Sequence, residues 1–215
     1  NYTITKTEGK LKVTAATDKV VVTIKGHKGS YTYNGEEQSV EGYDVTIPEG
    51  SAYTKNDITF NGHAKAKGTD AGKYDMGLNK SQFTNNNGNF TNVTFEVVED
   101  GKLEISPRSV TLTSANAEKV YDGTPLTKDE VTASGEGFVK DEGATYKVTG
   151  TLTDVGETAN TFTYTLKDGT NAANYEIKTE NGTLKVTPVT EKVTVTITEN
   201  SGTVTYNGSE QSVTG

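Results

Sequence analysis

Apolar and polar residues alternate with period two through most of this chain, the spacing that turns successive side chains to opposite faces of a β-sheet. Val20-Val21-Val22-Thr23-Ile24-Lys25, Thr161-Phe162-Thr163-Tyr164-Thr165-Leu166 and Val193-Thr194-Val195-Thr196-Ile197-Thr198 each set apolar side chains on one side and Thr or Lys on the other. Such runs predict strands in sheets with one buried and one wet face. Between the runs fall Asn34-Gly35, Asn61-Gly62, Asn87-Gly88, Asp100-Gly101, Asp122-Gly123, Asp168-Gly169, Asn181-Gly182 and Asn207-Gly208. Asn or Asp before Gly tolerates the positive φ of a two-residue hairpin, so these pairs predict tight turns. Helical spacing is nearly absent; Thr127-Lys128-Asp129-Glu130-Val131 could begin one turn, with Thr127 as cap and Glu130 three residues on. The expected fold is all-β: tandem small antiparallel β-sandwich domains, Ig-like or β-grasp-like, in an elongated rod.

The pattern also repeats on a longer scale. Asn1-Tyr2-Thr3-Ile4 returns as Asn174-Tyr175-Glu176-Ile177, Leu11-Lys12-Val13-Thr14 as Leu184-Lys185-Val186-Thr187, and Tyr33-Asn34-Gly35 as Tyr206-Asn207-Gly208, at an offset of about 173 residues. Roughly 24 of the 42 overlapping positions are identical, which shared composition alone does not produce. A weaker repeat lies inside the long one. Asp100-Gly101-Lys102-Leu103-Glu104-Ile105-Ser106-Pro107 parallels Asn181-Gly182-Thr183-Leu184-Lys185-Val186-Thr187-Pro188, Thr69-Asp70-Ala71-Gly72 parallels Thr153-Asp154-Val155-Gly156, and Tyr33-Asn34-Gly35 parallels Tyr121-Asp122-Gly123. One period therefore divides into two diverged modules, 19–107 and 108–188. Residues 1–18 read as closing strands of a preceding repeat and 189–215 as opening strands of a following one. At both Pro107 and Pro188 strand, Pro and strand follow closely, which predicts short junctions, since Pro fixes φ and removes a ladder donor.

Composition narrows the function. There is no Cys, so disulfides and thiolate metal sites are excluded. Net charge is -8 with both signs interspersed, which disfavours nucleic acid as a partner. No apolar run approaches a membrane span, so direct membrane insertion is not expected. Apolar content of 31% without Trp suits several small cores better than one large one.

These residues resemble the MBG-type and YDG-type repeats of large bacterial surface proteins. The likeness is carried by Tyr33-Asn34-Gly35, Tyr121-Asp122-Gly123 and Tyr206-Asn207-Gly208, by Asp70-Ala71-Gly72 and Asp154-Val155-Gly156, and by the closing run from Asn174 to Pro188. The first module departs from the pattern, ending on Asn92-Val93-Thr94-Phe95 after a polar insert around Asn85-Asn86-Asn87-Gly88-Asn89. The resemblance implies stalk or adhesin modules, extracellular, at the bacterial cell surface and wall-anchored through a region outside this stretch.

Candidate chemistry is sparse. Tyr33, Asn34, Gly35, Tyr121, Asp122, Gly123, Tyr206, Asn207 and Gly208 are expected to be structural turns, with Gly supplying the unusual φ and Tyr covering a core edge. Asp70 and Asp154 suit turn capping better than Ca²⁺, since no carboxylate-rich loop surrounds them. His27 and His63 lack metal-ligand spacing. No nucleophile motif or phosphate cradle is present, so no enzyme activity, cofactor or metal is expected. Cysteine-free stalks can be stapled by Lys–Asn bonds, for which Lys12, Lys19, Lys185, Lys192, Asn92 and Asn174 are candidates if buried. The best candidate ligand-contact loop is Phe83, Asn85, Asn86, Asn87, Asn89 and Phe90, with amides for sugar hydroxyls and rings for apolar sugar faces. The expected function is a structural spacer that projects distal domains from the cell, its partners neighbouring repeats of the same chain. The alternative is an adhesin module binding host or polymer glycans or mucin weakly per copy and strongly through multivalency.

Overall fold

The computed structural model describes residues 1–213, and the fold is all-β. The first module holds β1 (Val20–Gly26), β2 (Lys28–Thr32), β3 (Gln38–Glu41), β4 (Tyr43–Thr46), β5 (Ile58–Phe60), β6 (Lys65–Gly68), β7 (Gly72–Asp75), β8 (Phe83–Asn85), β9 (Val93–Glu99) and β10 (Lys102–Ser106). The second holds β11 (Arg108–Ser114), β12 (Ala117–Val120), β13 (Val131–Gly135), β14 (Ala144–Val148), β15 (Gly156–Asn160), β16 (Phe162–Leu166), β17 (Tyr175–Glu180) and β18 (Gly182–Thr187). No helix forms at 127–130; that segment is irregular, and Leu126 instead bridges Leu152.

Both modules follow one plan. Three-stranded sheets of order β4-β1-β9 and β2-β10-β7 in the first correspond to β13-β11-β17 and β12-β18-β15 in the second, and the β5-β8 pair corresponds to β14-β16. The expected antiparallel pairing needs correction. β1 pairs β9, β2 pairs β10, β11 pairs β17 and β12 pairs β18, all in parallel, with antiparallel partners on the other side of each central strand. Parallel neighbours need a long crossover, and here the whole body of each module separates its opening from its closing strands.

This arrangement changes the role of two glycine pairs. Asp100-Gly101 and Asn181-Gly182 are not hairpin turns, because the strands on either side of them run on in the same direction, β9 beside β1 and β10 beside β2, β17 beside β11 and β18 beside β12. A Cβ on Gly26 would lie 2.1 Å from the Gly101 nitrogen, and one on Gly182 would lie 2.4 Å from the Ser114 carbonyl oxygen. Glycine is therefore required where the two parallel strands bend together from one sheet into the next. Positive φ is instead found at Gly35, Gly123, Gly169 and Gly208.

Alternation along the central strands buries Val22, Ile24, Leu103 and Ile105 in the first module and Val110, Leu112, Leu184 and Val186 in the second. The terminal segments show how much a strand depends on its neighbours. Leu184 is 0% exposed in β18, while Leu11, at the matching place in the repeat, is 93% exposed. Residues 1–15 and 188–213 form no strand, including the alternating run Val193–Thr198; Ala16 makes one bridge to Phe90. The counterpart of that run, β1, is held between β4 and β9, and no described residues take those places beside 193–198. Thr214 and Gly215, the last residues of the expected opening segment 189–215, lie outside the described residues. Among the described residues no helix is long and apolar enough to cross a membrane.

Candidate functional site at the module joint

A single residue, Pro107, links β10 to β11. Around that link the repeated motifs of both modules converge. Tyr33 leaves β2 with its backbone N–H donating to the Ser106 carbonyl at 2.9 Å, which fixes its position beside the end of β10. Its ring is 4% exposed and meets Tyr175 edge-on, centroids 5.5 Å apart. Its hydroxyl donates to Glu142 Oε1. Tyr175 packs in turn on Phe138 in a tilted pair with centroids 4.9 Å apart, and its hydroxyl accepts the Val139 N–H at 3.1 Å. Burial, reinforced by Glu142, raises the Tyr33 pKa. Burial pushes Tyr175 up to about 12. Both phenols thus favour the neutral, donating form.

Two polar clamps flank the rings. Arg108 donates to the Gly137 carbonyl at 2.8 Å, the Glu136 carbonyl at 2.6 Å and the Tyr33 carbonyl at 3.4 Å, tying the second module's loop to the first module's turn. Asn174 is 1% exposed; its Oδ1 accepts the Ala71 N–H at 2.8 Å and its Nδ2 donates to Asp70 Oδ1 at 2.8 Å. Asp70 is therefore a clamp for the next module, a role beyond the expected turn cap. Apolar packing runs through the same place, since Val110, Leu112 and Tyr175 belong to one continuous cluster with the first module's core.

The Tyr-Asn/Asp-Gly tripeptides build their turns locally. Asn34 Oδ1 accepts the Glu36 N–H at 2.9 Å, and Gln38 Nε2 donates to the Thr32 carbonyl at 3.1 Å. Asn207 repeats this with Ser209 at 3.1 Å and Gln211 to the Thr205 carbonyl at 3.0 Å, although Tyr206 is fully solvated. Asp122 Oδ1 takes the Thr124 N–H at 2.9 Å and the Lys119 ammonium at 2.7 Å. The ammonium foremost, with the Thr124 bonds, holds the Asp122 carboxyl well below the usual range.

The side chains of the expected ligand-contact loop make contacts within the first module. Phe83 is 3% exposed and packs on Phe60, Tyr43 and Phe95, and Phe90 packs edge-on against Tyr53 at 5.2 Å. Phe83 is thus drawn into the core, while Phe90 is half-buried and lines an open cleft with Val20 and Pro48. Asn85 Nδ2 donates to the Phe90 carbonyl at 2.8 Å, Asn86 Nδ2 to Thr59 Oγ1 at 3.2 Å, and Asn87 Nδ2 to Asp57 Oδ1 at 2.8 Å. Asn87 Oδ1 accepts the Asn89 N–H at 3.0 Å. The amides hold the loop's own shape, and the Thr54 N–H and Asn87 together lower the Asp57 pKa. Of the lysines considered for stapling, Lys12, Lys19 and Lys192 are exposed and Lys185 is half-buried, facing Glu157 at 3.4 Å. His27 Nδ1 lies 2.8 Å from the Glu41 carbonyl, and among the described residues no His, Asp and Glu cluster could hold a metal.

A family model described as the MBG domain matches the stretch that runs from the first residue of β1 to Pro107. Residues 20–107 match the MBG domain. The MBG module is thus the one whose closing motif and polar insert depart most from the repeat pattern, while the second module carries the likeness through its motifs. Neither a curated protein nor a solved structure matches the chain.

Proposed function

We propose that this stretch is a non-catalytic spacer, a run of paired β modules forming an elongated rod that holds other domains away from a bacterial cell surface. The observation that supports it is the joint: Tyr33 and Tyr175 merge two module cores across a one-residue link, so direction is carried from one module to the next. The match to the MBG domain supports a repeat module of surface proteins. Its partners on this reading are neighbouring repeats, held side to side as well as by the chain. The test is deletion of one intact period of about 173 residues from a longer array of these repeats. Reach from the cell, measured by electron microscopy, should shorten by one period, with ligand specificity unchanged. Saturable binding of this chain to glycans or mucins, lost in step with the deleted period, would overturn the reading in favour of adhesion.

A further inference from the structure

The second module ends as the first one does. Tyr121 follows β12 and its N–H donates to the Thr187 carbonyl at 2.8 Å, as Tyr33 does to Ser106. Asp154 stands where Asp70 stands in the repeat. Yet Tyr121 is 41% exposed, and Val120 and Val155 beside these motifs are more than half exposed. The ring that is buried at the first joint is left open here.

The opposite end of the MBG module carries a matching hollow. A cleft of about 380 Å³ lies among Val20, Pro48, Gly50, Ser51, Ala52 and Phe90. By strand register Val20 holds the place of Arg108, since each makes the first pair of its parallel ladder. The loop 48–52 follows β4 as the loop 136–140 follows β13, and Arg108, which holds that second loop through the Glu136 and Gly137 carbonyls, also donates to the Tyr33 carbonyl. Asn92, the counterpart of Asn174, is exposed at the same end. Residues 1–18 repeat 174–191, so the sequence leading into β1 is that of a second-type module's closing strand.

We propose that this cleft is the socket for the Tyr121 turn of a second copy of this chain, so that consecutive periods dock head to tail. Tyr121 enters beside Val20 and the 48–52 loop, and Asn92 meets Asp154 and the Val155 N–H as Asn174 meets Asp70 and Ala71. The link differs: Pro188 to Lys192 separates β18 from Val193, five residues against one. Extended, five residues span at most about 17 Å, enough to let the turn settle into a cleft beside the link. Tethering raises the effective concentration into the millimolar range, so a contact too weak to form between free chains forms within one. The inference rests on the spacer reading and specifies its second joint.

The test is hydrogen exchange on a tandem chain in which residues 1–188 are continued by residues 16–215, which keeps the repeat in phase. Peptides covering 48–52 should show two equal populations, one exchanging as in the single chain and one at least ten times slower. Tyr121→Ala in the first copy alone should return the slow population to the single-chain rate, with protection around Tyr33 and Tyr175 unchanged. A single population at the single-chain rate would overturn the socket. X-ray scattering on the same sample separates that failure from failure of the spacer: an extended particle without slow exchange sinks only the socket, and a collapsed one sinks both.

Discussion

Truncating Tyr33 takes a buried ring out of two modules at once, because its ring packs on Tyr175 from across the joint. Tyr33→Ala should cost about 3 kcal/mol or more, by the usual penalty for removing a buried aromatic ring. Tyr33→Phe keeps the ring and removes the bond to Glu142, and should cost about 1–2 kcal/mol. Denaturant unfolding followed by circular dichroism checks both. Tyr121→Ala serves as the contrast: its ring is 41% exposed, and the same truncation should cost under about 1 kcal/mol in the single chain. Equal losses at Tyr33 and Tyr121 would mean that the joint adds nothing to stability.

At the scale of elements, the parallel strand pairs depend on glycines that no hairpin requires. Gly101→Ala would set a Cβ 2.9 Å from the His27 carbonyl oxygen, and Gly26→Ala one 2.1 Å from the Gly101 nitrogen. Backbone cannot give way as a side chain can, so each should destabilise the MBG module by about 1–3 kcal/mol, with Gly26 at the upper end. Differential scanning calorimetry should show the loss. Gly88→Ala, with nothing within 4 Å, should leave the melting temperature within about 2 °C. These elements also mark what could be read in the sequence. The Tyr-Asn-Gly turns are legible because their bonds are local, as the solvated copy at Asn207 demonstrates. The strand alternation in β1, β10, β11 and β18 is legible because each is central and buries one face. Parallel pairing is not legible, since period two says which face is buried and not which distant strand lies alongside. The packing of the aromatics beside the loop at 85–89 is not legible for a related reason: Phe83 and Phe90 meet Phe60 and Tyr53 only once the chain folds. The joint itself left a trace in the repetition of Tyr33, Asp70 and Asn174, without any sign that they would meet.

Across the whole molecule, the joint is one of the places where pH acts at the alkaline end, since burial also raises Tyr43, Tyr53 and Tyr146. Tyr175 has its pKa raised from 10.0 to about 12, and Tyr33 is raised in the same direction. Because the folded pKa lies above the unfolded one, the stabilisation is fully present below about pH 10 and is lost as pH rises toward 12. Titration by tyrosinate absorbance should show Tyr175 ionising well above pH 10, with the particle dimensions in X-ray scattering changing in the same window. Ionisation of every tyrosine near pH 10 with unchanged dimensions would contradict a joint built on neutral phenols. The same pairing of first and last strands has a consequence for a chain pulled from its ends. Tension enters each module at the head of β1 or β11 and leaves at the tail of β10 or β18; between those points β1 runs in parallel beside β9 and β2 beside β10, as β11 does beside β17 and β12 beside β18. Pulling slides them lengthwise past one another, so the ladder bonds are loaded in shear, all together, where a hairpin would open them one by one like a zipper. Each module is a clasp loaded along the line that joins its two ends.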